Sequence, residues 1–239
     1  MASRIPATKD EKLLPVIQNI LLFNGIDIEG VKSILACSKA EIITYEKGEM
    51  IFTEGDRPSC LPILLSGSVN VARDTYDGKR NILSVYEHSG ELFGYEKLLQ
   101  NDARYGIFGQ AQKKSKVLMI PKDFMTGTCE RNCEFHSMLI SNMLFVMATK
   151  TESLHSKLEI MTCGTLRQKI IKMIMLNSEE KEVPSIKMNR QEMAEYLNVA
   201  RPSLSRELMK MVSEGLIDIS GKTIKLLDPA ETEKILGST

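Results

Sequence analysis

The sequence predicts an α+β chain with a β-rich N-terminal region, a long central helix and a C-terminal region of short helices closed by a β-hairpin. Between residues 41 and 121, short β-prone runs alternate with glycine turns. From residue 123 to about 161, an apolar stretch gives way to a narrow stripe at helical spacing. Residues 189–210 (NRQEMAEYLNVARPSLSRELMK) have the pattern of two short helices joined by a tight turn. These changes predict a domain at 1–122, a helix at 123–162 and a domain at 163–239.

Length and charge restrict the possible functions only loosely. The chain has 239 residues, enough for one or two domains, and its 31 basic residues balance 31 acidic ones. The region from residue 164 onward is also nearly neutral, so non-specific affinity for nucleic acid is expected to be weak. No apolar run approaches the ~18 residues that a membrane span needs, and the first residues are polar. We therefore expect a cytoplasmic protein with no membrane partner.

The N-terminal half reads as many short strands after a helical preface. Its β-prone runs are EIITY, EMIF, LPILL, VNVAR and NILSVY, with a turn signal after each. Val69 and Val71 alternate with polar residues, and Met50 and Phe52 share the same two-residue spacing. Many short strands with frequent turns are typical of a sandwich or barrel. The segments LLPVIQNILLF and IEGVKSILACS before them predict helices.

The first helix of the C-terminal pair carries its own start and stop signals. Asn189 is a candidate N-cap, and Glu192 stands three residues later at capping-box spacing. Asn198 falls at the sharp turn, where asparagine tolerates left-handed backbone angles. Val199 is expected to be a buried plug between the helices, and Pro202 suits the first turn of the second helix.

The second helix is predicted to bury one face and to expose arginine on the other. The buried set is Leu204, Leu208, Met211 and Val212, and the opposite face shows Pro202, Ser203, Arg206, Lys210 and Ser213. Arginine can bind guanine O6 and N7 with two hydrogen bonds. We predict that Arg206 contacts a base edge in the DNA major groove and that Arg201 contacts a base or a flanking phosphate. Phosphate contacts are predicted for Ser203, Ser205 and Asn189.

A hairpin after this helix would act as a wing. Ser220-Gly221 is a turn signal between two β-prone runs. Lys222 and Thr223 at its tip are predicted to touch phosphates. The alternatives are two surface helices with solvated arginines, or a winged helix that serves protein contacts in a ligand-binding or redox-sensing module.

The C-terminal motifs resemble a known family. RQEMAEYLNVARPSLSREL followed by GLIDISGKTIKL looks like the winged helix-turn-helix of the Crp/Fnr family of bacterial transcription regulators. The resemblance implies a homodimer that binds double-stranded DNA at a pseudo-palindromic site, with RNA polymerase as a further partner. Pro202 stands where the best-known member reads a base with glutamate. Proline cannot do this, so the operator is expected to differ.

The N-terminal pattern resembles the cyclic-nucleotide-binding β-roll of the same family, a double-stranded, jelly-roll-like fold. The match rests on the GELFG run at residues 90–94 and on turn glycines, namely Gly48, Gly55, Gly67, Gly78 and Gly90. The resemblance implies that an effector binds in the roll. It places the effector pocket at Glu91, Leu92, Phe93, Gly94, Tyr95, Arg104, Tyr105, Gly106 and, on the long helix, Ser153.

Several pocket positions depart from the cyclic-AMP pattern. Tyr95 stands where a glutamate holds the ribose, and Tyr105 and Gly106 stand where an arginine–serine pair holds the phosphate. A cyclic phosphate without its guanidinium would lose roughly 2–5 kcal/mol. We therefore expect a small effector other than cyclic AMP. The alternative is cyclic-nucleotide gating, with Arg104 brought into the pocket by a one-residue shift.

The central helix is predicted to pair with its copy in a second subunit. Its first part is apolar nearly all round, so it needs cover on two sides, and its later residues continue as a coiled-coil stripe. The alternative is a core helix of one subunit. The predicted interface consists of Leu139, Met143, Val146, Leu154, Leu158 and Met161.

The sequence contains only weak signals for a bound cofactor or for catalysis. The five cysteines are an odd number without framework spacing, so disulfides are not expected. Cys129, Cys133 and His136 at i, i+4, i+7 leave open a thiol, metal or haem redox sensor, although no cofactor is required. No catalytic motif is visible in the sequence, and we expect a protein that is not an enzyme.

Overall fold

The computed structural model of the chain describes residues 3–75, 80–100, 102–127, 134–178 and 183–237. The Cα positions divide into two compact units, residues 1–147 and 148–239. The three-part division proposed from the sequence stays a prediction. Among the described residues, no helix is long and apolar enough to cross a membrane.

Two four-stranded antiparallel sheets make up the β-region of the first unit. One has the order β1-β2-β8-β4 and the other the order β3-β7-β5-β6. One apolar cluster draws Ile43 and Val117 from the first sheet and Phe52, Val69 and Val71 from the second, so the sheets face each other across it. The strands are β1 (Ser3–Pro6), β2 (Glu41–Tyr45), β3 (Met50–Phe52), β4 (Cys60–Ser66), β5 (Val69–Asp74), β6 (Arg80–Tyr86), β7 (Phe108–Ala111) and β8 (Ser115–Pro121).

Met50 and Phe52, two residues apart on β3, differ in burial. Phe52 is buried, whereas Met50 is 39% exposed. The register of β3 against β7 shifts between these two residues. A bulge of this kind breaks the two-residue alternation, which accounts for the difference in exposure.

The helices of the first unit cover the other face of the β1-β2-β8-β4 sheet. They are α1 (Leu14–Gln18), α2 (Ile28–Ser38), α3 (Lys122–Thr126) and the first part of α4 (Glu134–Thr162). The preface LLPVIQNILLF forms α1 and then a separate 3-10 turn at Leu21–Phe23. Ile17, Val31, Leu35 and Leu139 pack in one core with residues of this sheet, including Leu118.

The predicted continuous helix from residue 123 is wrong at its beginning. α3 ends at Thr126, and Gly127 follows in an extended conformation with φ −84° and ψ 163°. The Gly127 N–H still bonds to the Asp123 carbonyl at 2.8 Å, which closes the last turn. A Cβ at Gly127 would lie 2.6 Å from that carbonyl oxygen, so glycine is needed for this ending.

The second unit is a helical bundle with a three-stranded sheet of order β10-β11-β9. Its apolar core includes Ile160 from the end of α4, Ile170, Met193, Leu208 and Ile224. The strands β1, β7, β8 and β9 and the helices α5 and α8 were not predicted individually from the sequence. After α4, the elements are α5 (Leu166–Leu176), β9 (Ser185–Lys187), α6 (Arg190–Tyr196), α7 (Arg201–Ser213), β10 (Ile217–Ser220), β11 (Thr223–Leu226) and α8 (Pro229–Gly237).

Candidate nucleic-acid interface

The predicted capping box at the start of α6 is confirmed. The Asn189 side-chain oxygen accepts hydrogen bonds from the N–H groups of Gln191 and Glu192 at 2.9 and 3.0 Å. In return, the Glu192 carboxylate accepts one from the Asn189 N–H at 2.8 Å. These bonds satisfy donors that the first helical turn leaves unpaired. They also occupy the Asn189 oxygen, so its amide nitrogen is the group left to face a phosphate.

The turn between α6 and α7 is tight and left-handed at Asn198, as predicted. Asn198 has φ 51°, and the next N–H, that of Val199, bonds back to the Ala194 carbonyl at 2.9 Å. Val199 is only half-buried against the apolar core, so the prediction of a buried plug was too strong. The small Ala194 is 3% exposed, and its size lets α7 pack close to α6.

Helix α7 has a buried stripe and an exposed basic face. Leu204, Leu208 and Met211 have no exposed surface, but Val212 is 36% exposed, so its predicted burial is wrong. At 3.6 residues per turn, Val212 lies about 100° around the helix from Met211, on the flank of the stripe. Arg206 lies almost opposite the stripe.

The predicted DNA-contacting residues of α7 fall into two groups by exposure. Arg201, Pro202, Arg206 and Lys210 are exposed, whereas Ser203 and Ser205 are half-buried. Ala200 stands at the N-cap and gives no side-chain hydrogen bond. The N-terminus of α7 therefore depends on Pro202 in its first turn and on the backbone bonds to the Ala200 carbonyl.

The hairpin after α7 has the form of a wing. Ser220 pairs with Thr223 across a two-residue turn in which Gly221 has φ 62°. Lys222 is exposed in this turn and Thr223 is half-buried. The Lys222 carbonyl accepts a hydrogen bond from the Met188 N–H at 2.9 Å, which ties the wing tip to the chain just before α6.

Sequence reasoning missed a basic residue beside the wing. Lys187 on β9 is exposed and pairs in register with Thr223 on β11. The strand has only three residues, too few to show a period of two. The β-prone Ile186 between polar neighbours was the available signal.

The interior of the roll is filled by aromatic side chains. The Phe52 and Tyr105 rings stack with centroids 4.1 Å apart, and Phe93 lies 6.3 Å from Phe52. The Tyr105 hydroxyl donates to the Gly94 carbonyl at 2.9 Å. A Cβ on Gly94 or Gly109 would come within 2.8 Å of the Phe52 ring, so this ring lies directly on both backbones.

The apolar residues of the predicted effector pocket belong to this filled interior and to the adjoining core. Leu92, Phe93, Tyr95 and Tyr105 are all buried. Burial raises the pKa of Tyr95 to about 12 and also raises the pKa of Tyr105, so both phenols stay neutral near pH 7. The Glu91 carboxylate accepts hydrogen bonds from two N–H groups of the preceding turn, at residues 87 and 88.

The other pocket residues lie near the surface. Arg104 is exposed, and its Nη1 donates to the Gly55 carbonyl at 2.7 Å. The Gly106 carbonyl accepts a hydrogen bond from Arg73 Nε at 2.9 Å. Ser153 is exposed on α4 and belongs to the second unit. Arg104, the one arginine of the predicted effector pocket, therefore lies outside the aromatic interior of the roll.

The predicted dimer residues of α4 separate into buried and exposed sets. Leu139 and Met143 are 0% and 4% exposed in the core of the first unit, where a partner helix cannot reach them. Val146 and Met161 are half-buried. The large apolar side chains of α4 that face solvent are Leu144, Phe145, Leu154 and Leu158, each about 60% exposed.

The cysteine–histidine alternative receives no support from the described residues. His136 is 6% exposed, and its ring stacks on Phe124 with centroids 4.4 Å apart. Its Nδ1 atom is buried and has no hydrogen-bond partner. Cys129 and Cys133 lie outside the described residues, and within the described part of the chain no group of His, Cys, Asp and Glu could hold a metal ion.

Comparison with known proteins identifies the class. Residues 42–132 match the family model for the cyclic nucleotide-binding domain. Residues 168–235 match the Crp-like helix-turn-helix domain. The chain belongs to the Crp/Fnr family of DNA-binding transcription regulators. Neither matched model describes a catalytic domain.

Relatives with both parts are distant in sequence. The chain is 22% identical to the cyclic AMP receptor protein of Thermus thermophilus over 90% of its own length and 95% of the relative's. It is 24% identical to electron transport regulator A of Shewanella oneidensis, covering 81% and 77% of the two chains. The c-di-GMP responsive global regulator CLP of Xanthomonas campestris shares the fold at a TM-score of 0.50, with 19% identity over 84% of this chain and all of that one.

Proposed function

We propose that this protein is a homodimeric, sequence-specific transcription regulator whose β-roll receives an effector other than cyclic AMP. The exposed position of Arg206 is the observation that supports sequence-specific DNA recognition. This residue is exposed on α7, opposite the fully buried stripe, and this helix begins just after the left-handed turn at Asn198. An arginine in that place has no packing role and is free to enter the major groove.

Each residue of the interface has a role in this proposal. Arg206 reads a base edge, and Arg201 at the start of α7 reads a base or a flanking phosphate. Pro202 offers no hydrogen bond, so the base beside it is selected by shape or not at all. Phosphate contacts come from Asn189, Ser203, Ser205, Lys210, Lys222 and Thr223.

The dimer interface proposed here uses the exposed residues of α4. Leu144, Leu154 and Leu158 expose 63%, 59% and 60% of their surface. With Met161 they occupy positions of one 3-4 repeat, counted as 144, 147, 151, 154, 158 and 161. A two-fold dimer presents two copies of α7, which matches a pseudo-palindromic site.

The effector proposal rests on what fills the roll. A cyclic phosphate needs a guanidinium, but Arg104 is bonded to a surface carbonyl and Tyr105 is a neutral phenol inside the aromatic cluster. An uncharged or aromatic ligand that replaces part of the Phe52–Tyr105 stack suits this interior better. To regulate, the effector must bind the DNA-competent arrangement of the dimer more tightly than the other. RNA polymerase is a further partner proposed for a regulator of this family.

Selection of binding sites from random DNA by the full-length protein tests the proposal. We expect enrichment of an inverted repeat whose half-sites are centred about 10–10.5 base pairs apart, or a multiple of this spacing. Enrichment of a single asymmetric half-site would contradict the homodimer. No enrichment at any salt concentration, with or without cell extract as a source of effector, would contradict sequence-specific reading.

A further inference from the structure

A partly buried ion-pair cluster joins α5 to the recognition helix α7. Arg167 Nε donates to a Glu207 carboxylate oxygen at 2.7 Å. Both Nη groups of Arg167 donate to the Glu214 carboxylate, one to each oxygen. The side chains of Arg167, Glu207 and Glu214 are 21%, 24% and 36% exposed. Paired donors of this kind make strong, directional contacts.

The spacing of the two glutamates allows Arg167 to hold α7 at two points along its axis. Glu207 and Glu214 are seven residues apart, about two helical turns, or roughly 10.5 Å along the axis. One planar guanidinium binds both, so it restrains α7 against sliding and against rotation about its own axis. Lysine, a point charge without the fork, would restrain neither as well.

The helix that carries Arg167, α5, is itself anchored in the second unit. Thr165 and Gln168 form a capping box at the start of α5. Gln168 is 7% exposed, and its amide donates to the Ile235 carbonyl on α8 at 2.9 Å. Ile170 and Ile171, fully buried, anchor α5 in the core that it shares with α7. The guanidinium is therefore held in place from the side of α5.

The restraint acts on the residue that is proposed to read DNA. Glu207 is the next residue after Arg206 and lies about 100° around α7 from it. If α7 rotated by about 10°, an atom about 6 Å from its axis would move by roughly 1 Å. A hydrogen bond at a base edge does not survive such a displacement.

We propose that Arg167 is a positioning residue for DNA recognition, which clamps α7 so that Arg206 meets its base edge while Arg167 itself touches no DNA. The inference rests on the proposed sequence-specific reading. A hydrogen bond from Arg167 holds the pKa of the Glu214 carboxyl below its usual value, so this carboxylate stays charged near pH 7.

The test compares full-length variants on two DNAs, the operator selected from random sequence and a scrambled duplex, at the same salt. The variants are Arg167→Met, Arg167→Lys and the pair Glu207→Gln with Glu214→Gln. Lys172→Met is the matched control, because it breaks an ion pair of α5 with Glu159 and leaves the cluster intact.

For Arg167→Met we expect the ratio of operator to scrambled affinity to fall about 10- to 100-fold, the equivalent of one good base contact. Binding to scrambled DNA should weaken only slightly, through the loss of one positive charge, and the salt slope should stay unchanged because Arg167 meets no phosphate. Arg167→Lys should recover part of the ratio. The double variant Glu207→Gln with Glu214→Gln should also show a lower ratio of operator to scrambled affinity. The loss of two negative charges by itself would have the opposite tendency, because it tightens binding to any DNA. The control should behave as wild type.

Three results would overturn the clamp. An unchanged ratio in both Arg167→Met and the glutamine pair would mean that apolar packing alone sets the pose of α7. A salt slope reduced by about one per subunit in Arg167→Met would mean a direct phosphate contact. Equal loss on both DNAs by the glutamine pair, with a lowered melting temperature, would mean a purely structural role.

The same assays separate this inference from the proposed function. A wild-type protein that selects no operator contradicts the function. An operator that depends on Arg206 but not on Arg167 contradicts the clamp alone.

Discussion

Arg206 is assigned to DNA recognition because its side chain has no packing role in the fold. It makes no contact that the fold needs, since the buried stripe of α7 passes on the other side through Leu204, Leu208 and Met211. A surface arginine with no packing role costs little to mutate in stability. Its effect on DNA binding can therefore be measured without damage to the fold.

The first prediction concerns this residue. Arg206→Ala should reduce operator affinity by about 1–3 kcal/mol and relax the preference at one base per half-site, because a bidentate contact to a base edge is lost. Gel shift on the operator and on single-base variants measures both effects. Arg57→Ala, an exposed arginine of the first unit, is the control and should bind as wild type. Unchanged base preference in Arg206→Ala would reject the assignment.

Asn198 is a residue whose role is set by its backbone. With φ 51° it adopts a conformation that costs roughly 1–2 kcal/mol for most L-residues and little for asparagine or glycine. The second prediction is that Asn198→Gly keeps the melting temperature within a few degrees, whereas Asn198→Val lowers stability by about 1–2 kcal/mol in urea denaturation. Equal stability of the two variants would show that the turn can relax to a right-handed form.

At the scale of the element, the β-roll keeps the strands and turns of a ligand-binding domain and fills the space between them. The β7 strand leaves room for the Phe52 ring at Gly109, and the run after β6 does the same at Gly94. Tyr105 closes the cluster with its bond to the Gly94 carbonyl. The backbone at both glycines is therefore in direct contact with an aromatic ring.

The third prediction follows from this filled interior. Calorimetry of the purified protein with cyclic AMP and with cyclic GMP should give no saturable heat, since neither ligand finds a guanidinium partner inside the roll. Arg104→Ala should give the same result as wild type. Tight binding by wild type that is lost in Arg104→Ala would restore the cyclic-nucleotide alternative and would mean that the Arg104 side chain leaves Gly55 to enter the roll.

The sequence of helix α4 does not by itself determine which of its apolar residues are buried. Its first part is apolar nearly all round, and spacing alone cannot say which residues face the sheet and which face solvent. The structure turns Leu139 and Met143 toward the sheet and leaves Leu144 and Phe145 outside. The later stripe of Leu154 and Leu158 is narrow, and there spacing and structure agree that one face is apolar and exposed.

At the scale of the whole molecule, the exposed apolar face of α4 predicts a dimer. Leucines about 60% exposed on one helix are unfavourable in a monomer, and a second copy packed on this face would bury them. The fourth prediction is that the wild-type protein sediments as a dimer, whereas Leu154→Asp with Leu158→Asp sediments as a monomer and loses operator binding. Leu227→Asp, a leucine equally exposed on the second unit, should remain dimeric.

Two outcomes would contradict the interface. A wild-type protein that is monomeric at micromolar concentration and on DNA would reject the dimer altogether. A double variant that remains dimeric would place the interface elsewhere on the molecule.

Much of the fold was predictable because its signals are local. The α+β class and most strands and helices followed from turn glycines, β-prone runs and helical spacing, all of which act within a few residues. Strands β1 and β9 were missed because strands of three or four residues show no period, and they are fixed by partners far away in the chain. β1, for example, is held by pairing with β2, from Ser3 opposite Thr44 to Pro6 opposite Glu41. Strands β7 and β8 and helices α5 and α8 were also not predicted individually.

The sequence by itself determined the capping box of α6, the left-handed turn at Asn198, the exposed face of α7 and the family, because each depends on residue types at short spacing. Only the tertiary structure decided that Met50 faces outward, that Leu139 and Met143 belong to the core, and that Phe52 and Tyr105 stack inside the roll. The clamp of Arg167 on Glu207 and Glu214 was also invisible in the sequence. The physical reason is common to these cases: contacts between residues forty or more positions apart depend on how elements pack, and no local pattern encodes that packing.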